Sequence, residues 1–313
     1  MNHPFTWSGR FDGDTTEHRR FFQIINQHKN ADYTLIGFSS DEGVRRNKGR
    51  LGAKNGPNHI RSQIGNMPVH RDFSVNDAGN ILCENEDLES AQDALATTIK
   101  DVLTQNSLPI VLGGGHEVAY GSFQGVLRYL LEKIDSPEDM NLGIINFDAH
   151  FDLRSENRVT SGTPFLNAAH LSQKHNIDFN YLCLGVAEHG NTKVLFDTAD
   201  RLNTTYLYDH ELATHKITAA LPQIENFIKK MDYIYITIDL DVFPAYLTPG
   251  VSAPCAKGIT LESFERIFEL IIESKKVILL DIAECNPEFD IDNRTAKLAA
   301  YLVYQYIQKT LKK

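Results

Sequence analysis

Apolar and polar positions follow two rhythms along this chain, and the rhythms predict where strands and helices lie. Short apolar runs occupy Tyr33 to Phe38, Pro109 to Leu112, Leu142 to Phe147, Tyr181 to Val186, Tyr206 to Tyr208, Tyr233 to Ile238 and Val277 to Ile282. Their length and their β-branched and aromatic content are those of buried strands. Between them, Asp87 to Thr104 places Leu88, Ala91, Leu95, Ile99 and Leu103 at intervals of three or four, the period of an amphipathic helix. Gly56-Pro57 opens another helix with proline in its first turn and Ile60 and Ile64 on its buried face. Further helices are read up to about Ile134, from Pro164, over Thr218 to Lys230, from a Thr260 cap to Ser274, and over Asn293 to Gln308. Ahead of them, the segment through Lys29 carries Trp7-Ser8-Gly9-Arg10 and an amphipathic stretch. No repeat, low-complexity tract or flexible linker interrupts the alternation. It predicts one α/β domain over residues 1–313, a three-layer αβα sandwich with a central, mainly parallel β-sheet.

Composition narrows what such a domain does. Of 313 residues, 42% are hydrophobic and 23% charged, and no apolar segment is long enough to span a bilayer, so membrane insertion is not expected. Met1 to Arg20 lacks the basic start and apolar core of a secretory signal, which predicts a cytoplasmic protein. Cys83, Cys183, Cys255 and Cys285 are far apart and form no C-x-x-C pair, as expected of reduced, packed thiols. A net charge of −10 argues against a nucleic-acid partner and leaves a small-molecule enzyme as the better class.

The chemistry gathers where apolar runs end. Leu142 to Phe147 runs into Asp148-Ala149-His150-Phe151-Asp152-Leu153-Arg154, where side chains two apart on an extended backbone would point to one side. Tyr233 to Ile238 runs into Asp239-Leu240-Asp241, again two apart; Pro109 to Leu112 leads through Gly113-Gly114-Gly115 to His116, and Val277 to Ile282 leads to Glu284. Ligands of parallel sheets bind beyond the carboxyl ends of the strands, so these ends predict one shared site. Four clustered carboxylates with His116 and His150 would balance two divalent cations, and oxygen and nitrogen donors suit Mn²⁺, Zn²⁺, Fe or Ni. Two metals about 3.5–4 Å apart can hold a bridging water and present hydroxide at neutral pH, which implies hydrolysis. No nucleophile elbow or phosphate-binding glycine loop competes with this reading. Ser39 to Arg50, rich in arginine, reads as a solvated loop or an anion-binding one.

In order along the chain, GGGHE, DAHFD, DLD and ECNP resemble the motifs of the ureohydrolase family of arginases, agmatinases and formimidoylglutamases, over residues from about Trp7 to the end. The resemblance implies an arginase-like fold and two Mn²⁺ per subunit. His116, Asp148, Asp152 and Asp239 would hold one ion, and Asp148, His150, Asp239 and Asp241 the other. Glu284 would face the planar cationic group of the substrate. Ser161-Gly162 stands where arginases and agmatinases have histidine before glycine. With GGGHE, with Val242-Phe243-Pro244 after DLD and with the loop DEGVRRNKGRLGAKNGP, it is similar to the formimidoylglutamase branch. That branch implies hydrolysis of N-formimidoyl-L-glutamate to L-glutamate and formamide in histidine degradation, by a homo-oligomer. Other readings are a ureohydrolase acting on a guanidino compound and a non-catalytic metal-binding relative. A substrate with two carboxylates calls for cations, so Arg154, then Arg45 and Arg46, are the expected clamps, with Ser161 and Asn191 as further pocket residues. Loss of the family histidine at Ser161 leaves Asp152 as the expected proton carrier.

Overall fold

Every apolar run forms a strand, and an eighth strand with no such run joins them at one edge. The structure, a computed structural model, describes residues 5–28, 30–136 and 140–311. Met1 and Lys29, the ends of the first predicted segment, lie outside the described residues. The strands are β1 (Tyr33–Ser39), β2 (Val75–Leu82), β3 (Leu108–Leu112), β4 (Leu142–Phe147), β5 (Asn180–Val186), β6 (Thr205–Tyr208), β7 (Tyr233–Asp239) and β8 (Val277–Ala283). All neighbours are parallel, in the order β2-β1-β3-β8-β7-β4-β5-β6. The sheet is therefore wholly parallel. Strands β3, β8, β7 and β4, whose ends carry the candidate ligands, are consecutive at its centre.

Helices cover both faces, because successive residues of each buried strand face opposite ways and both sets are apolar. Leu35, Ile110, Ile145 and Ile236 share one core with α2 (Gly56–Ile64), α7 (Ile217–Lys230), α8 (Leu261–Glu273) and α9 (Arg294–Thr310). Their neighbours Ile36, Val111, Ile144 and Tyr235 share the other with α3 (Leu88–Thr104), α4 (Val118–Lys133), α5 (Pro164–Lys174) and α6 (Lys193–Arg201). The read helix starts hold. Asp87 caps α3 by accepting from the Ser90 N–H, and Thr260 caps α8 by accepting from the Ser263 N–H. None of the described helices is long and apolar enough to cross a membrane. Cys183, Cys255 and Cys285 are buried free thiols, and Cys83 is a half-buried one.

Three elements depart from the sequence reading. Part of the predicted Ser39–Arg50 loop is a short helix, α1 (Glu42–Arg46). Helix α6 is only nine residues long and was not read, since it buries just Leu195, Thr198 and Ala199. Strand β2 carries Asn76, Asp77 and Asn80 and only Val75 fully buried, the mixed exposure of an edge. A buried ion pair fixes that edge. Arg61 of α2, fully buried, donates to both oxygens of Asp77 at 2.7 and 3.0 Å, and the indole of Trp7 donates to the same carboxylate at 2.8 Å. Asp77→Ala would strand a buried guanidinium, so a loss of about 3–5 kcal/mol in denaturant unfolding is expected. A change below about 1 kcal/mol would show that solvent reaches Arg61.

Candidate metal centre and active site

Each candidate ligand reaches the centre because its strand stops there. After β3 the chain turns through Gly113–Gly115, whose N–H groups bond back to Ile282 and Ser40. A Cβ on Gly114 would lie 1.8 Å from the Ser40 carbonyl oxygen, so only glycine lets the two segments pass. His116 follows, 1% exposed. Its Nδ1 lies 2.9 Å from Asp152 Oδ2, 3.1 Å from Asp148 Oδ2 and 3.2 Å from Asp239 Oδ2, yet it has no hydrogen-bond partner. Its Nε2 pairs with the Thr237 hydroxyl at 3.0 Å, which leaves Nδ1 aimed at the carboxylates. Four ligand atoms thus surround a point that none of them fills, the arrangement a cation requires.

The six ligand candidates form two groups that share Asp148: His116, Asp148, Asp152 and Asp239 in one, and Asp148, His150 and Asp241 in the other. In the second, His150 Nδ1 is 3.0 Å from Asp241 Oδ2 and 3.5 Å from Asp148 Oδ1. Asp239 falls in the first group through Oδ2, and its Oδ1 accepts the Asp241 N–H at 2.8 Å, beside the second. The path of the DAHFD stretch also corrects the expectation of an extended backbone. The strand ends at Phe147, the His150 N–H bonds back to Asp148 Oδ1 at 2.6 Å, and Asp152 adopts φ +48°. This turn sends His150 to one group and Asp152 to the other, where a straight strand would aim all three at one point.

Electrostatics mark the same place. Burial and then the charges of Asp241 and Asp148 hold Asp239 well above the usual carboxylate range, and burial with the charge of Asp148 raises Asp152 to about 6. For both histidines burial opposes the charged form, but surrounding carboxylates win and raise them well above their ordinary value. In a metal-free site these groups can only share protons; divalent cations would displace those protons and satisfy all the donors. The donor set of carboxylate oxygen and imidazole nitrogen, without sulfur, fits Mn²⁺. On the rim of the centre, Glu284 is 4% exposed at φ +69°. Its Oε1 accepts from the His116 N–H at 3.0 Å, while Oε2 is buried without a partner. Burial and then Glu117 push it up to about 8.

A cavity of about 300 Å³ opens over these groups. Arg154, Ser161 and Asn191 line it as read from the sequence; Arg45 and Arg46 do not. Arg46 bonds to Glu42, Glu89 and the Val159 carbonyl, and Arg45 to Glu42 and Glu86, so these two brace α1 with their charges paired. Asn191 needs a smaller correction. Its amide donates to the Ala149 and Ala187 carbonyls and accepts from the Phe151 N–H, so it shapes the DAHFD turn more than it offers itself to substrate. Ser161 accepts from Asn47 at 3.1 Å, whereas the Arg154 guanidinium has no partner among the described residues. Asn47 and Lys48 at the end of α1, and Ser252 in the proline-containing loop after β7, also line the cavity and were not singled out from the sequence. Only the overlap of charged spacing with a loop hinted at the first two.

The arginase-family profile matches residues 31–308. A formimidoylglutamase of Vibrio cholerae is 44% identical, covering 96% of this chain and 93% of its own, and one from Cupriavidus pinatubonensis is 42% identical, covering 96% and 97%. Among solved structures, Trypanosoma cruzi formiminoglutamase with Mn²⁺ superposes with a TM-score of 0.81 at 24% identity, over 94% of this chain and 99% of that one. Bacillus subtilis arginase gives 0.74 at 23%, over 90% and 98%. With a profile spanning the whole sheet and relatives this similar over nearly their full length, the chain belongs to the arginase family, hydrolases acting on carbon–nitrogen bonds.

Proposed function

We propose that this chain, as a single domain, hydrolyses N-formimidoyl-L-glutamate to L-glutamate and formamide in the breakdown of histidine, a reading supported by its similarity to relatives named formimidoylglutamase. The observation that carries it is a two-group carboxylate–histidine centre at the floor of a cavity whose wall holds Arg154, unpaired among the described residues. Buried carboxylates at the floor attract the amidine end of such a substrate, and a cation at the wall attracts its acid end. Agmatine, cationic at both ends, would meet Arg154 unfavourably.

His116, Asp148, Asp152 and Asp239 would hold one Mn²⁺, and Asp148, His150, Asp239 and Asp241 the other. Bound there, the two ions supply Lewis-acid activation and hydroxide at neutral pH. The remaining steps fall to the chain's own groups. Glu284 Oε2, unpartnered and beside the centre, would accept an N–H of the amidinium and hold its carbon over the ligands. In the bare site Glu284 is held near 8, and an arriving cation favours its ionised form, so substrate and carboxylate charge one another. Asp152, whose carboxylate lies 2.9 Å from His116 Nδ1 at the centre, would carry a proton toward the leaving nitrogen.

The test is a substrate panel on Mn²⁺-loaded protein. Formamide is expected from formimidoyl-glutamate with no urea from arginine or agmatine, and chelation should abolish turnover until Mn²⁺ is restored. Urea release without formamide would overturn the substrate assignment, and turnover that survives complete metal removal would overturn the centre.

A further inference from the structure

We propose that Lys48 is a specificity-determining residue, the second of two cations that hold a dicarboxylate substrate in the active-site cavity, Arg154 being the first. The inference rests on the function proposed above and assigns the part of the site that selects its substrate class.

Lys48 and Arg154 line the same cavity as His150 and Glu284. Among the described residues neither side chain has an ion pair or hydrogen bond, whereas the nearby cations of this segment are all committed. Arg45 and Arg46 pair with Glu42, Glu86 and Glu89, and Arg50 bonds to the Val251 and Ser252 carbonyls and lies over the Phe289 ring. Two uncommitted cations in one cavity match two carboxylates on one ligand.

Backbone conformation supports a selected position. Lys48 has φ +62°, in the left-handed region that L side chains with a Cβ avoid. Most non-glycine residues here with positive φ are Asn or Asp, which tolerate it. Lys48, Glu86, Lys275 and Glu284 are neither, and two of these four line this one cavity. Strained residues persist where surroundings over-determine them, and such surroundings exist around Lys48. Its own N–H bonds to the Arg45 carbonyl, the Gly49 N–H bonds to the Val44 carbonyl, and the Gly43 N–H bonds to the buried Glu117 carboxylate at 2.9 Å. Arg46 reaches across to Val159, and Asn47 to Ser161, in the loop that follows Arg154. Helix α1 is thus pinned to both walls, and its last turn delivers Lys48 to the mouth.

Asp152, Asp239, Asp241 and Glu284 line the same cavity at its floor, so the carboxylates of a diacid are left to the cations of the wall. A point charge on a long stem offers three donors and can follow a flexible carboxylate, a role complementary to a planar guanidinium.

The experiment compares wild type, Lys48→Gly and Lys48→Arg, each loaded with Mn²⁺, on N-formimidoyl-glutamate and on N-formimidoyl-glycine, which has one carboxylate. Glycine suits φ +62°, so the variant should fold as well as wild type, checked by its melting curve and bound Mn²⁺. For Lys48→Gly, KM for the diacid is expected to rise about tenfold with kcat nearly unchanged, and the ratio of diacid to monoacid kcat/KM to fall by the same factor, with Lys48→Arg restoring most of it. An unchanged ratio, or an equal loss on both substrates, overturns the role of Lys48 while leaving the parent reaction standing. Absence of formamide from wild type with the diacid takes down the parent reading, and this one with it.

Discussion

Replacing Asp148 with alanine is expected to lower kcat/KM by roughly four orders of magnitude, the largest single effect in the molecule. Asp148 is fully buried and belongs to both ligand groups, with its two oxygens turned to different histidines. Its ionised form is already favoured: burial opposes the charge, but His116 and His150 outweigh burial and hold it below the usual carboxylate range. Deleting it takes a ligand from each proposed ion at once. Paired metals stabilise developing charge by several kcal/mol, and each 1.36 kcal/mol is tenfold in rate, so a loss of about 5 kcal/mol gives the figure above. Elemental analysis should show bound Mn²⁺ falling in parallel. Two equivalents of tightly held metal with near-normal turnover would mean that the ligand assignment is wrong. His150→Ala removes a donor from one group only and should cost less.

Glu284→Gln is the second large effect, expected at about 3 kcal/mol or roughly a hundredfold in kcat/KM. The substitution keeps the shape of the side chain. An amide oxygen can still accept the His116 N–H, so the turn that ties β8 to the glycine loop is retained, and the Glu284 N–H still donates to Gly114. What is lost is the negative charge on the unpartnered oxygen that would face the amidinium. Metal content should therefore remain at the wild-type value, which separates this variant from Asp148→Ala. Turnover within about threefold of wild type would remove Glu284 from substrate recognition.

Much of this centre was legible in the chain because its chemistry is local. Residues at the ends of apolar runs must leave the sheet at its carboxyl edge, and His116, Asp148, Asp239 and Glu284 each end one. Their periodic, fully buried strands and capped helices are set by short-range pattern, and α3, α8 and the central strands fall where that pattern puts them. Edge strand β2 escaped because an edge needs no apolar run, and α1 and α6 because a helix of one to two turns has too few positions to show a period.

The sequence by itself determined that a parallel α/β sheet would carry carboxylates and histidines at its strand ends, since burial and side-chain chemistry are properties of the residues in order. Only the tertiary structure decided how they are shared. Strand order made β3, β8, β7 and β4 adjacent, the left-handed turn at Asp152 split one motif between two ligand groups, and ion pairing decided the arginines. Arg45 and Arg46 find Glu42, Glu86 and Glu89, while Lys48 and Arg154 find no partner among the described residues; a charge is available to a ligand only when no neighbour in space has already neutralised it, and sequence does not show neighbours in space.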